Sequence, residues 1–148
     1  EDYKRISYPI SEKLKYMIGY PSFKVSTEEA RAVLPEKICY SDIVFDLSRA
    51  IHLPKALEEG NLELLKDVLN DKIHEPYRLS LIDEGERVIS IAKDNGYASC
   101  VSGSGSSILF IGYGYDLLDI LKSNKFKNKW TFIKCNINSG KCKALGGK

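Results

Sequence analysis

Hydrophobic positions change their period several times along this chain, and each change predicts an element. Leu14 to Tyr20, with Tyr16, Met17 and Ile18, is a short apolar run closed by Pro21, and it reads as a strand. Upstream, Asp2 to Tyr8 alternates in part and stops at Pro9, which predicts an edge strand, because proline cannot donate to a ladder. Ser26-Thr27-Glu28-Glu29 sets a hydroxyl three residues before a glutamate, the pattern of a capping box. A short helix is predicted from there through Ala30, Arg31, Ala32, Val33 and Leu34 to Pro35. Behind Ser41-Asp42, the residues Ile43, Val44, Leu47, Ala50 and Ile51 recur at helical spacing as an apolar stripe. Pro54 predicts a kink or restart in that helix, since its ring removes an N–H and clashes with the preceding turn. The end is expected near Gly60. Asn61 is the expected cap of a further helix bearing Leu62, Leu64, Leu65, Val68 and Leu69. Asp83 is the expected cap of another, bearing Val88, Ile89, Ile91 and Ala92, with Gly96 in the left-handed position beyond its end.

Past Gly96 the pattern turns to strand. Tyr97-Ala98-Ser99-Cys100-Val101 and Ile108-Leu109-Phe110-Ile111 are apolar runs rich in β-branched and aromatic residues. Gly114 precedes a helical stripe of Leu117, Leu118, Ile120 and Leu121. Trp130 to Ile137 reads as strand, Asn138-Ser139-Gly140 as a turn, and Lys141 to Leu145 as a short return strand. The Gly146-Gly147-Lys148 end is expected to fray. The order is strand, helices, strand, strand, helix, strand, which is the split βαβ or ferredoxin-like order. The sequence therefore predicts an α+β fold, a single domain over 1–148. It has an antiparallel sheet, helices on one face of it, and extra helices in the first crossover.

Composition narrows the classes. With 148 residues, 43% hydrophobic and 28% charged, the chain can bury a real core. A net charge of +2 calls for neither nucleic acid nor an anionic membrane, and no apolar run approaches a membrane span. Cys39, Cys100, Cys135 and Cys142 show no C-x-x-C spacing, and only two histidines accompany them, so no metal site is predicted. Sparse cysteines fit reduced thiols in the cytoplasm; a disulfide between Cys135 and Cys142 is disfavoured. The chain begins at Glu1 and not at a methionine, so it is expected to be a piece of a longer protein.

Candidate chemistry centres on Ser102-Gly103-Ser104-Gly105-Ser106-Ser107, between the two central strands. No side chain there exceeds a hydroxymethyl. Glycine permits positive φ and close backbone approach, and successive N–H groups in such a turn can form a nest for an anion. On the loop alone, a hairpin turn that happens to be rich in Gly and Ser is the favoured reading. His52 sits in an apolar stripe and reads as a core-edge residue; His74 reads as a surface or capping residue. Lys122, Lys125, Lys127, Lys129 and Lys134 surround Phe126, Trp130 and Phe132, but the RNP1 pattern is absent and a solvated loop is the better reading. Arg31 and Arg78 carry forks that match a carboxylate or phosphate. Taken alone, each also reads as a solvated charge, Arg31 pairing with Glu28 one turn back.

Four segments in series carry a family resemblance. Ser26-Thr27-Glu28-Glu29-Ala30-Arg31-Ala32-Val33-Leu34-Pro35 resembles the S-T-x-x-A-R-x-x-L-P segment of homoserine kinases. Phe45-Asp46-Leu47-Ser48-Arg49-Ala50 is similar to their N-L-S-R/G-A helix, and Asp71-Lys72-Ile73-His74-Glu75-Pro76-Tyr77-Arg78 to their D-x-x-H-x-P-Y-R. Ser102 to Ser107 resembles the third motif of the wider GHMP kinase superfamily. The resemblance covers only the C-terminal half of such an enzyme, since no G-L-G-S-S phosphate loop occurs here. Asp46 stands where Asn is commoner, Ser106-Ser107 replaces Pro-Thr, and Pro54 falls in a helix the family runs through.

The resemblance implies transfer of the ATP γ-phosphate to the hydroxyl of L-homoserine, in threonine biosynthesis in the cytoplasm. It implies ATP and Mg2+ bound mainly by the N-terminal half. Homoserine would lie between the halves, its carboxylate on Arg31 and Arg78 with the Gly103 backbone beside it. The loop Ser102, Gly103, Ser104, Gly105, Ser106 would pack against the phosphate loop. No catalytic base is assigned in this half, and alone it is expected to be inactive. Without its other half it is also expected to expose apolar surface near Ile108 to Ile111 or Leu14 to Tyr20, and to form a homodimer. Another GHMP kinase, or a non-catalytic ferredoxin-like module that binds a small ligand, are the alternatives.

Overall fold

The computed structural model describes residues 7–137. A capping box opens α1 (Thr27–Ala32): Ser26 Oγ accepts from Glu29 N at 3.1 Å, and Ser26 N donates to Glu29 Oε2 at 2.8 Å. The long helix α2 (Tyr40–Glu59) follows, then α3 (Leu62–Val68), α4 (Glu75–Leu79) and α5 (Gly85–Asp94). All five lie between β1 (Lys15–Pro21) and β2 (Ala98–Val101). The hairpin partner β3 (Ile108–Gly112), helix α6 (Leu117–Ser123) and β4 (Trp130–Cys135) complete the described chain. The sheet order is β2-β3-β1-β4 with every pair antiparallel, which is the ferredoxin-like arrangement that the element order predicts. Met17 stands opposite Phe110, and Ile18 opposite Ile133, so neighbouring residues of β1 face opposite sides.

Helices cover both faces of this sheet, not one. Met17, Ile108, Phe110 and Phe132 pack against Val88, Ile89 and Ala92 of α5 and Leu117, Leu118 and Leu121 of α6. On the other face, Leu14, Ala98 and Ile111 pack against Ala56 of α2 and Leu62, Leu65 and Val68 of α3. The extra crossover helices thus supply a second layer. Ile108, Phe110 and Ile111 are 0%, 0% and 2% exposed and Met17 0%, so most of the apolar surface expected at those strands is core, while Tyr20 near the end of β1 is 38% exposed. Four of the exposed large apolar residues lie on α2, Tyr40, Val44, Leu47 and Ile51 at helical spacing, while Ala56 near its end is buried. The predicted stripe therefore exists, and its N-terminal part faces solvent. His52 is exposed rather than at a core edge, because it lies on this uncovered part of the helix.

Pro54 neither ends nor restarts α2, which runs unbroken to a left-handed cap at Gly60 (φ +66). A proline loses one intrahelical hydrogen bond, and the carbonyl it frees, on exposed Ala50, can be solvated. The helix is held on either side by the buried Ala56 and by an Arg49–Asp67 ion pair at 3.0 Å to the end of α3. Cys39, exposed, is its N-cap residue. Asp83 does not cap α5. Its carboxylate accepts from Asn128 Nδ2 at 2.8 Å and pairs with Lys127 at 3.3 Å. Glu84 takes the cap position at φ +65, and its two oxygens accept the Lys127 and Asn128 N–H groups, each at 2.9 Å. Those bonds offset the strain of a left-handed non-glycine residue. Gly96 holds the expected left-handed position at φ +82. The predicted first strand lies outside the described residues except for Ser7 and Tyr8, which are in no strand. The turn at 138–140, the return strand at 141–145 and the Cys135–Cys142 pairing also fall outside them. No helix of the described chain is long and apolar enough to cross a membrane.

Candidate functional site

β2 and β3 end in the Gly/Ser loop, closed at its root by Ser102 N donating to Ser107 O at 2.8 Å. Three of its residues have positive φ: Gly103 at 64°, Gly105 at 132° and Ser106 at 44°. A Cβ on Gly103 would meet nothing within 4 Å. Glycine is required there by backbone conformation, and the space in front of it is open. Short side chains cannot pin such a loop to the fold, so its position is set by groups from elsewhere.

Those groups come from α4. Arg78 Nη1 donates to Gly103 O at 2.8 Å. One turn earlier on the same helix, Glu75 is 7% exposed, and its Oε1 accepts the Val101 N–H at 2.7 Å. Val101 is the last residue of β2, so α4 grips the loop both at its root and at its tip. Helix α4 has only five residues and is itself held in place. Asp71 Oδ1 accepts from His74 N at 2.6 Å and Glu75 N at 2.7 Å, satisfying donors that open the helix. Asp46 of α2 accepts the Lys72 N–H at 3.1 Å. Across the loop, Thr27 Oγ1 lies 3.5 Å from Ser104 Oγ, which sets the start of α1 beside the tip. One chain of contacts therefore joins all four motif segments, from Asp46 through Asp71, Glu75 and Arg78 to the loop and α1.

The sequence-predicted residues do not all meet. Arg78 and Gly103 touch. Arg31 lies one turn after Thr27, on the same side of α1 by helical spacing, but its side chain is exposed and has no hydrogen bond or ion pair among the described residues. The expected Glu28 pairing is not made. Arg78 keeps an unused donor, because its Nε is buried without a partner among the described residues. Ser102, Ser104, Gly105 and Ser106 are placed by the loop itself. His74 holds the N-cap position of α4, but its side chain does not cap the helix; its Nε2 lies 3.3 Å from Asp71 Oδ2, and Asp71 takes the opening N–H groups.

Sequence reasoning missed Asp71 and Glu75. The signal was present: an aspartate three residues before a helix start, and a glutamate directly before a proline at the first turn. Burial raises the Glu75 carboxyl, more than the Val101 N–H lowers it. Burial also raises Asp46, helped by its hydrogen bond with Asp71. Burial would raise Asp71 as well, but the Glu75 and His74 N–H groups outweigh it and hold Asp71 low. Of this acidic pair, Asp71 is held below its ordinary value and Asp46 is raised above it.

A family model described as the C terminal of GHMP kinases matches residues 54–126. The homoserine kinase of Crocosphaera subtropica is 36% identical over 135 residues, covering 90% of this chain and 43% of that protein. That of Clostridium acetobutylicum is 37% identical over 144 residues, covering 93% of this chain and 48% of that protein. The crystal structure of homoserine kinase from Cytophaga hutchinsonii matches the fold with a TM-score of 0.77 at 24% identity, over 89% of this chain and 44% of that one. This chain thus spans less than half the length of the relatives it matches. The stretch they share with it holds the loop, its α4 grip and the helix that carries Arg31, and on these grounds the chain belongs to the GHMP kinases, as their C-terminal domain.

Proposed function

We propose that this chain is the substrate-binding half of a homoserine kinase, the domain extending over the whole of residues 1–148. The observation that carries the reading is Arg78: its guanidinium is fixed on the Gly103 carbonyl beside open space, with a buried donor still unused. A planar fork held in this way suits a carboxylate better than a mobile lysine would. The homoserine carboxylate would take the remaining donors of Arg78. Arg31, free on α1, would close on it from the other side of the loop. The hydroxyl at the far end of the substrate would then point away from this domain, towards ATP held by the other half of the enzyme. In the reaction the hydroxyl oxygen bonds to the γ-phosphorus, the bond to ADP breaks, and the hydroxyl proton is released. Catalysis on this reading is positioning and charge neutralisation, and this half supplies no base. ATP and Mg2+ would be held mainly by the other half of the enzyme. A cytoplasmic location belongs to the same proposal.

The test compares the whole protein with the 148-residue chain. The whole protein should phosphorylate L-homoserine from ATP in preference to other small alcohols, including those of the mevalonate route. The chain alone should show no heat of binding with Mg-ATP and no turnover. Equal use of an alcohol that lacks a carboxylate would defeat the reading, as would micromolar ATP binding by the chain alone.

A further inference from the structure

The outer edge of β2 carries a second cleft, of about 220 Å³, lined by Lys66, Asn70, Lys93, Tyr97, Ala98 and Ser99. It lies between α3 and α5, where the sheet has no further strand beyond β2. Along that edge the backbone donors alternate. Tyr97 N donates to Ala92 O at 2.9 Å and Val101 N to Glu75 Oε1 at 2.7 Å, both away from β3. Ser99 has the same parity, so its N–H points to the same open edge. Its hydroxyl is unusual too: Ser99 is 3% exposed, and its Oγ has no partner among the described residues. Buried hydroxyls are nearly always hydrogen-bonded, because leaving one unpaired costs the full desolvation of the group.

The two lysines of the lining are donors with capacity to spare. Lys93 Nζ donates once, to Asn70 Oδ1 at 3.2 Å, and Lys66 Nζ once, to the exposed Glu63 at 2.7 Å. An ammonium has three donors, so each keeps two. Asn70 Nδ2 is spent on the Lys66 and Asp67 carbonyls, and no carboxylate lines the cleft. Two cations, a backbone N–H and an unpartnered hydroxyl line a space too small for a drug-sized ligand. We propose that this cleft binds a small oxyanion, a carboxylate or a phosphate. The bound anion would brace Ser99, two residues before the Val101 N–H that Glu75 holds, and so the strand from which the Gly/Ser loop springs. The site is separate from the one assigned to homoserine and does not rest on that reading.

The experiment is a titration of the 15N-labelled protein with inorganic phosphate and, in a parallel arm, acetate, each at constant ionic strength against chloride. The Ser99 amide resonance should shift saturably with one or both anions, and the arm that saturates more tightly assigns the class. Lys93→Gln should weaken binding by roughly ten- to a hundredfold, the range for a lost charged hydrogen bond, and Ser99→Ala by roughly two- to tenfold. Ser99→Ala should also raise the melting temperature of the free protein, since it removes an unpaired buried hydroxyl; this shows that weakened binding is not unfolding. Shifts that match those in chloride, that fail to saturate, or that survive both substitutions would overturn the proposal.

Discussion

Arg78 stands on α4 with its guanidinium on the Gly103 carbonyl at 2.8 Å, whereas Arg31 stands exposed on α1, without a hydrogen bond or ion pair among the described residues. The two sites are built differently beneath the side chains. Under Arg78 lies a series of buried or half-buried carboxylates, Glu75, Asp71 and Asp46, each accepting backbone N–H groups. Under Arg31 lies a six-residue helix whose fixed feature is the Ser26–Glu29 capping box at its start. The difference separates two ways of holding a ligand charge. A preorganised fork loses little entropy when the ligand arrives; a free one must be ordered at that moment. Removing the first should disturb the loop as well as the ligand, and removing the second the ligand alone.

Substitutions at four positions break or sharpen this contrast. The largest effect is expected for Arg78→Ala in the whole enzyme: a homoserine KM raised roughly a hundredfold, the upper end of the scale for a charged hydrogen bond, with the ATP KM nearly unchanged. Arg78→Lys should rescue little, since an ammonium cannot reach both the Gly103 carbonyl and a carboxylate in the same geometry. Steady-state kinetics decide this, and an unchanged homoserine KM would remove Arg78 from the site.

Next comes Glu75→Ala, which leaves the Val101 N–H unpaired in a buried place and should cost about 1–3 kcal/mol in urea unfolding. Glu75→Gln keeps the acceptor and should cost far less. It should also remove a pH slope. Burial raises the Glu75 pKa, so the folded chain holds this proton to a higher pH than the unfolded chain. Its contribution to stability is whole below the ordinary glutamate value of about 4.3 and is lost as pH rises through the folded value. A wild-type stability profile over that window that matches the Glu75→Gln profile would contradict the assignment.

Smaller is Arg31→Ala, with a homoserine KM raised by roughly tenfold and no measurable change in stability. A loss of stability would mean that Arg31 is not free in the protein. The smallest effect is expected for Gly103→Ala: about 1 kcal/mol from a non-glycine residue at φ +64, with no clash, because nothing lies within 4 Å of the new methyl group. Gly103→Val should lose more homoserine binding than stability, since its branches project into the open space. If Val lowers stability and leaves KM alone, that space is not where the substrate lies.

Much of this frame is legible in the sequence, because it rests on local signals. The Ser26–Glu29 capping box, the Asn61 cap, Gly60 and Gly96 at helix ends, and the strands flanking the Gly/Ser loop are each decided within a few residues. Errors come where distant groups decide. Pro54 predicts an interruption from local sterics, yet the contacts of Ala56 and Arg49 with other elements outweigh one lost hydrogen bond. Asp83 is a sound cap by residue type, but Lys127 and Asn128, more than forty positions on, claim both it and Glu84. The spacing of Tyr40, Val44, Leu47 and Ile51 reveals a stripe but not which side of it meets solvent. In the candidate site, Arg31, Arg78 and Gly103 could be named from motifs. Glu75 had a local signal in its place before Pro76, but its role did not, because its partner is a backbone N–H with no letter in the sequence.

Cys100 lies on β2 one residue from Val101, and its thiol is pushed up to about 12 by burial, with the Glu75 and Asp71 charges adding to it. At neutral pH it is therefore almost wholly unreactive while the strand stays in place. Cys39 is exposed at the head of α2, and its pKa is lowered by contact with Ser41. An alkylating reagent should mark Cys39 at once and reach Cys100 only when β2 parts from its neighbours. With the marked peptides resolved, so that Cys135 and Cys142 are told apart, the delay between the Cys39 and Cys100 marks then times the opening of the strand that carries the Gly/Ser loop, with Cys39 as the clock's zero.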